Sequence, residues 1–538
     1  MRNWSSAVAL AAGLCAAAPA AANEKQDFER CDGRIHPGRQ DDGMRGEAGQ
    51  SAFFPLLGRP DADVAACTRA LASERLLPTQ NLRRAHLLRA RAVKFLQNGD
   101  TAKALSDIDL AEAATKDRAT DPFYRRSMGV SLQLLRAIAV ANEGNKDQAL
   151  ALAGRASLAR PFSSKVQRLS AEISNAVGAH PDWMQAARLD PSNALTAFLG
   201  EAAAGRWNEV LALRSSVSAP WPNQVPNAYV LLAPKGDNGG LLAALMVSLH
   251  SSYALAATGN AAEAKTEVGG LRTRLKALPT PLDKEGKKVG PDVGELLTKM
   301  LDGQFRLIDA RIAVAEGRTD DALAAIVGQP LPKTAAAAEL LTAMKAKASP
   351  SQAPLIPAAA ALSINPDQDA AKKLLRLSTD ALLTPETPRA VIDYEKSRPN
   401  ILGALVGGAL SMGTTLLGGI GRLDGFRSTP NADGTMKVEF IGNTPSAQLV
   451  EEMTLLRSAE LAREAKKTAF EIVARKDYQR MLNTMQYGRT ISSTPQGFKT
   501  EFTVRFLDKV EGNARALDAA AVIDSLGPLY YEEAAKRS

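Results

Sequence analysis

Gln97-Asn98-Gly99-Asp100 has four counterparts along this chain of 538 residues: Asn142-Glu143-Gly144-Asn145, Ala203-Ala204-Gly205-Arg206, Ala257-Thr258-Gly259-Asn260 and Ala315-Glu316-Gly317-Arg318. An apolar stretch precedes each. Five residues after the glycine comes a small or β-branched residue, Ala104, Ala149, Val210, Ala264 and Ala322, followed in four cases by Leu105, Leu150, Leu211 and Leu323. A glycine ends a helix because it enters the left-handed region without cost. An Asp or Asn after it starts the next helix. The small residue then falls where the second helix crosses the first, and a large side chain there would hold the two apart. The pattern predicts helix–turn–helix pairs repeated along the chain.

Periodicity agrees. Leu297, Leu301, Phe305, Ile308 and Ile312 form one stripe, and Leu242, Leu245, Leu249, Tyr253 and Ala256 another. Scarce aromatics and abundant alanine favour closely packed helices. Two arrangements fit the pairs: a regular stack with a long concave groove, and an irregular bundle without one. A common turn motif favours the stack.

The spacing resembles the tetratricopeptide repeat (TPR) over about residues 60–330. That family carries the same Gly and following Ala, and a small residue seven before the Gly, where this chain has Ala92, Ala137, Ser252 and Ala310, with Phe198 as the exception. Ala156 and Pro161 extend the match in the second repeat. The family's Trp and Tyr positions are largely missing, and the turns lie farther apart than in a regular array, so extra loops or helices must intervene. The fold class implied is mainly α: a TPR-like α-solenoid with a small C-terminal α+β domain.

In such arrays the first helix of each pair lines the groove. By position this gives His86, Arg89, Val93, Leu96 and Gln97 in the first repeat, and Ser131, Leu134, Ile138, Ala141 and Asn142 in the second. Leu134, Val93 and Ile138 stand where carboxylate-clamping relatives use Lys and Asn, so an apolar peptide or helix is the better ligand. Those apolar residues also suit plain packing between helices. Trp221, between Pro220 and Pro222 in a breaker-rich stretch, reads as an interaction anchor or as a plug over a core gap.

The N-terminus reads as an export signal over residues 1–22: Arg2, the apolar Ala7 to Leu14, then small residues ending at Ala22. Cys15 leaves a lipidated form open, although Leu14 suits a lipobox poorly. Cys31 and Cys67 survive cleavage, and an oxidising periplasm favours a bridge between them, worth about 3–4 kcal/mol in the chain-entropy model. Free thiols or a metal site with His36 are the alternatives, and the latter has too few ligands for closed zinc coordination. The bridge would tether a segment at 23–60 to an array at 61–345.

Residues 346–425 form a proline-rich connector. It ends in the uncharged run Ile401 to Gly421, long enough for membrane contact but interrupted by glycines. In 426–538, Met436, Val438 and Phe440 read as a strand after an Asp433-Gly434 turn, Ser446 to Lys466 as a helix, Ala469 to Ala474 and Thr500 to Phe506 as strands, and Asp518 to Leu526 as a closing helix. Phe440-Ile441-Gly442-Asn443-Thr444, Leu455 to Leu461, Phe470 to Val473 and Leu517-Asp518-Ala519 resemble short Gram-negative envelope lipoproteins of unknown function. That resemblance implies an envelope setting and no activity.

No zinc-helix, phosphate-loop or nucleophile-elbow motif occurs. The four histidines, His36, His86, His180 and His250, lack ligand partners at helical spacing, and the carboxylate pairs Asp107/Asp109 and Glu451/Glu452 read as helix-face charges. Arg457 and Glu460 read the same way. The net charge of +8 is dispersed, without the basic aromatic stripe of a nucleic-acid binder. The sequence thus points to a non-enzymatic periplasmic scaffold with a protein or peptide partner, no cofactor and no nucleic acid. The alternatives are an envelope structural protein touching a membrane through 401–421 and an uncatalogued enzyme.

Overall fold

The computed structural model describes residues 24–39, 41–44, 64–217, 239–278, 292–359, 425–442, 446–486 and 489–531, with isolated positions 219, 221, 285, 287, 386, 391 and 394. The expected export segment and the run Ile401 to Gly421 lie outside the described residues, as does most of the connector. The chain divides into two compact units, Met1–Lys116 and Asp117–Ser538, a division that falls at neither 345 nor 425.

The first unit contains α1 (Glu24–Asp32), α2 (Val64–Ala72), α3 (Asn81–Gln97) and α4 (Thr101–Ala114). A Cys31–Cys67 disulfide, with Cα atoms 4.6 Å apart, joins α1 to α2. Phe28, Ala70, Leu76 and Leu87 pack around it. The bridge therefore reaches the helix before the first pair, not a helix of the pair itself.

The second unit begins with a short turn Pro122–Tyr124 and a π-turn Arg125–Gly129. There follow α5 (Val130–Asn142), α6 (Lys146–Ala159), α7 (Ser164–Ala176), α8 (Met184–Leu189), α9 (Ala194–Ala203) and α10 (Trp207–Arg214). Next come α11 (Gly239–Ala257), α12 (Ala261–Lys276), α13 (Val293–Met300), α14 (Asp302–Ala315), α15 (Thr319–Ile326) and α16 (Ala335–Lys347). The intervening helices required by the long turn spacing are α7, α8 and α13.

Each turn glycine lies between two helices that pack together: α3/α4, α5/α6, α9/α10, α11/α12 and α14/α15. All five have positive φ, between 72° at Gly205 and 93° at Gly259. All five make the same two hydrogen bonds. In the second pair Gly144 N donates to Ala141 O at 3.1 Å and Asn145 N to Val140 O at 3.0 Å. This is the Schellman arrangement, which satisfies the last carbonyls of the first helix. Asp100 and Asn145 then cap the second helix through their side chains, accepting from Lys103 N and Gln148 N. Ala104, Ala149, Val210, Ala264 and Ala322 are fully buried, as are Ala92, Ala137, Phe198 and Ser252, with Ala310 nearly so. The small residues do lie where the helices close on each other.

The main core runs from α9 to α16 and includes Phe198, Trp207, Leu249, Tyr253, Leu271, Phe305, Ile312 and Leu341. The stripe read in α13–α14 is buried, with a bend between the two helices at Leu301. In α11, Leu242 departs from its stripe and is exposed. This helix is apolar and long enough to cross a membrane by length and composition, yet Leu245, Leu249 and Tyr253 belong to the core.

The C-terminal part is a five-stranded antiparallel sheet of order β1-β2-β4-β3-β5: β1 (Gly425–Pro430), β2 (Met436–Gly442), β3 (Ala469–Gln486), β4 (Arg489–Leu507) and β5 (Leu517–Asp518). Helices α17 (Ala447–Glu464) and α18 (Ala519–Tyr530) complete it. Strand β1 is an addition to the sequence reading. β3 and β4 run 18 and 19 residues, far beyond the short strands expected. Past Val473 the alternation ends in β3: Ala474, Lys476, Asp477 and Tyr478 face solvent, so no period of two marks that strand's extension, whereas Thr500, Phe502 and Val504 of β4 are buried at alternate positions. The module also shares its core with Phe123, Phe162 and Leu189 from the helical part and with Val391 and Tyr394 from the connector.

Nothing lies within 4 Å of a Cβ built on Gly144, Gly259 or Gly317, so alanine there meets only backbone strain. Each Gly→Ala substitution should cost about 1–2 kcal/mol, the left-handed penalty of an L-residue. Asparagine, which tolerates that region, should recover much of the loss. Urea unfolding of the three pairs of variants checks both expectations.

Candidate interaction groove

Counting back six residues from each turn glycine gives Val93, Ile138, Leu199, Tyr253 and Arg311, each on the first helix of its pair. In the last two pairs this position receives a helix of the chain itself. α16 packs on α9, α14 and α15, and its Ala336, Ala337, Leu340, Leu341 and Met344 enter the main core. Its one polar anchor is Glu339. The Tyr253 hydroxyl donates to Glu339 Oε2 at 2.7 Å and lies against the Ala336 carbonyl oxygen. Arg311 Nε donates to both carboxylate oxygens at 3.1 and 3.0 Å, while its Nη2 donates to Ala257 O at 3.0 Å. Lys347 Nζ reaches Val314 O at 2.8 Å. Burial, and then the Glu339 charge, push the Tyr253 phenol far above its usual range, so it stays a donor. Trp207 packs on the Tyr253 ring with centroids 4.8 Å apart. Thr334 caps the start of α16 through Ala337 N.

The first pair is covered differently. His86 and Arg89 are buried, at 2% and 8% exposure, beneath the end of α1. His86 Nδ1 bonds Asp32 Oδ2 at 2.9 Å, and Arg89 Nη2 lies 3.1 Å from His86 Nε2. Arg83 Nε pairs with Asp32 Oδ2 at 3.1 Å. An Asp–His pair invites a catalytic reading, but the ring nitrogen that would take a proton from a nucleophile is occupied by Arg89. Desolvation, and then Arg89, lower the His86 pKa to about 3, so the ring is neutral with its proton on Nδ1. Asp32 is held at about 2: burial opposes this, but Arg83 and His86 prevail.

Of the other groove residues, Ser131 is fully buried, and Gln97 and Asn142 are half-buried, with Lys94 Nζ donating to Gln97 at 2.8 Å. The expectation of an open surface at His86, Arg89 and Ser131 is corrected: the chain covers all three. Trp221 is half-buried against the main core, with the Arg274 guanidinium 5.0 Å from its ring centroid, and is no exposed anchor.

Reading Glu451, Glu452, Arg457, Glu460 and Asp107 as surface charges also needs correction, because all five are buried. α17 lies between the sheet and the helical part, so both of its polar faces are enclosed. Glu452 accepts from Arg126 Nη2 at 2.6 Å, Arg160 Nε at 2.8 Å and the Tyr530 hydroxyl at 2.8 Å. Arg160 also pairs with Glu386 at 2.9 Å, and Ser446 donates to Glu386 at 2.7 Å. Burial drives Glu386 upward. Burial also pushes on Glu452, but Arg126 and Arg160 outweigh it and hold that carboxyl below the usual range. Glu451 accepts from Ser164 N at 3.0 Å, so a carboxylate from α17 caps α7, whose own Ser163 makes no side-chain cap. Arg475 Nη1 completes the join, 2.7 Å from Glu451 and 3.0 Å from Ser164 Oγ. In the first unit Asp107 pairs with Arg91 through two bonds of 2.7 Å.

A cavity of about 400 Å³ beside α17 and α18 is lined by Arg463, Lys467, Thr468, Asp518 and Ile523. Lys467 is engaged by Asp508 at 2.7 Å, Asp518 caps α18, and Asp524 also borders the cavity. Among the described residues no three His, Cys, Asp or Glu side chains gather to hold a metal ion. No protein-family model matches the chain, and no curated protein or solved structure is significantly similar to it.

Sequence reasoning missed Tyr253 as a groove residue, placing it only in a core stripe, and missed Arg311 altogether. The available signal was the turn register itself: Arg311 lies beside the small residue Ala310, where an apolar neighbour is expected.

Two outcomes follow. Glu452→Gln leaves Arg126 and Arg160 with an uncompensated buried charge and should cost about 3–5 kcal/mol. Tyr530→Phe should cost about 1 kcal/mol. Urea unfolding followed by the emission of Trp183 and Trp207 separates them. In the first unit, an unfolded histidine takes up its proton near 6.5, whereas folded His86 does so only near 3. The unfolded chain therefore binds the proton first, and stability present above 6.5 is lost as pH falls toward 3. His86→Gln should flatten that slope in thermal melts across the window.

Proposed function

We propose that this chain is a non-enzymatic interaction scaffold of the bacterial envelope, with helical pairs stacked in the tetratricopeptide manner to present the first helix of each pair. One observation carries the reading: the same glycine-capped bend occurs five times, with buried small residues on both sides in four of them. At one register position of successive pairs, Tyr253 and Arg311 receive α16 as a groove receives a ligand helix. α11 packs on α9 and α10, and α14 on α11 and α12, the neighbour relations of a stack. Support for a binding role over catalysis comes from the Asp32–His86 pair, whose only free ring nitrogen is taken by Arg89. The Cys31–Cys67 disulfide and an export-like pattern over residues 1–22 suit an oxidising periplasm.

Export and recruitment are tested together. Photo-crosslinking residues are placed at Asn142 and Leu242, on the first helices α5 and α11 of their pairs, the one half-buried and the other 60% exposed. The protein is then recovered by osmotic shock. Release without detergent, with one common partner crosslinked from both positions, is the expected result. Recovery of abundant bystanders alone would remove the scaffold reading, and salt-resistant retention in membranes would favour the structural role for residues 401–421.

A further inference from the structure

We infer that the surface formed by α9, α11 and α14 is a receptor for an amphipathic helix carrying one carboxylate, and that α16 is its internal stand-in, exchanged for such a helix from another protein. The inference rests on the scaffold reading and names the partner class for its groove.

The chemistry of the site is written in its present occupant. α16 brings a narrow apolar face, Ala336, Ala337, Leu340, Leu341 and Met344, two of which are alanines. The Glu339 carboxylate falls between the Tyr253 hydroxyl and the Arg311 guanidinium. Both donors are buried with α16 in place, at 3% and 8% exposure. Arg311 is further held by Ala257 O. A buried cation needs a partner, and an apolar helix without an acid would strand it. The pocket therefore selects for the acid as well as for the apolar face.

Three features mark α16 as the replaceable element. It has no partner helix across a glycine bend, unlike the helices it touches. It enters after Val327, which is more than half exposed, while Ile356 beyond its far end returns to the core. Glu339 keeps 28% of its side chain exposed, so the ion pair is open to competition from solvent at one edge.

Hydrogen exchange on the unaltered full chain gives the first test. Amides of α16 should exchange at least tenfold faster than those of α11 and α14. Equal protection in all three helices would make α16 a permanent part of the core and overturn the inference. The second test uses a labelled synthetic peptide with the sequence of residues 334–348. The full chain carrying L340D and M344D, which cannot seat its own helix, should bind this peptide saturably, and the same peptide with E339Q at least tenfold more weakly. Equal binding of the two peptides would overturn the carboxylate requirement, and no binding by a variant that retains its helical circular dichroism would overturn the receptor. Should that variant fail to fold, the exchange measurement decides. A crosslinked partner that survives R311A would leave the scaffold standing while excluding this groove as its site.

Discussion

Two helices can run side by side at close range only where neither presents a bulky side chain at the crossing, and four of the five glycine-bent pairs among the described residues are organised around that limit. The glycine fixes where the chain reverses, because the left-handed bend lets the next amide return to the last carbonyls. Reversal sets the register between the helices. The register brings Ala104 opposite the region of Ala92, and Ala149 opposite that of Ala137, all four without solvent exposure. Phe198 is the instructive exception. α9 is only ten residues long, and this ring, fully buried, reaches the main core beside His250 with centroids 6.4 Å apart.

That constraint is local, which is why it could be read in the sequence. A glycine, a small residue five positions on and another seven positions back are bound to one another through fewer than fifteen residues of chain, and they produced the helical pairs and their buried faces. The C-terminal order of strand, helix, two strands and helix was also legible, since Val438 and Phe440 alternate in the usual way. The full length of the β3–β4 ribbon was not, because beyond Val473 strand β3 turns successive residues to solvent and loses the pattern that burial imposes.

The charged interior was illegible for a different reason. Glu451 and Glu452 stand next to each other in a helix and look solvated, and nothing nearby in sequence announces Arg126, Arg160 or Arg475 as partners. The ion pair between Arg160 and Glu452 joins residues 292 positions apart. Such a cluster is made by tertiary packing alone. Removing two charges from water costs several kcal/mol per ion, so an arrangement like this depends on specific mates for its charged groups. Glu452 finds three donors. The outcome is positional more than stabilising: the sheet module, the connector residue Glu386 and the helical part are tied to one set of coordinates.

The same logic explains why α16 covers Tyr253 and Arg311. A first helix that presented Tyr253 or Arg311 to water would leave an apolar face beside a fixed cation, a surface prone to indiscriminate association. Asp32 answers the need at the first pair, where it sits on His86 and Arg83 with the disulfide holding Cys31 next door. Glu339 answers it at the last two. In both places one carboxylate, carried on a neighbouring segment, neutralises an arginine that the helical pair has already oriented. The two covers differ in how they are retained. Asp32 is fixed covalently within one residue of a crosslink and is fully buried with its partners. Glu339 is held by packing and by an ion pair open at one edge. If one of the two sites exchanges its occupant, the geometry assigns that role to the surface beneath α16.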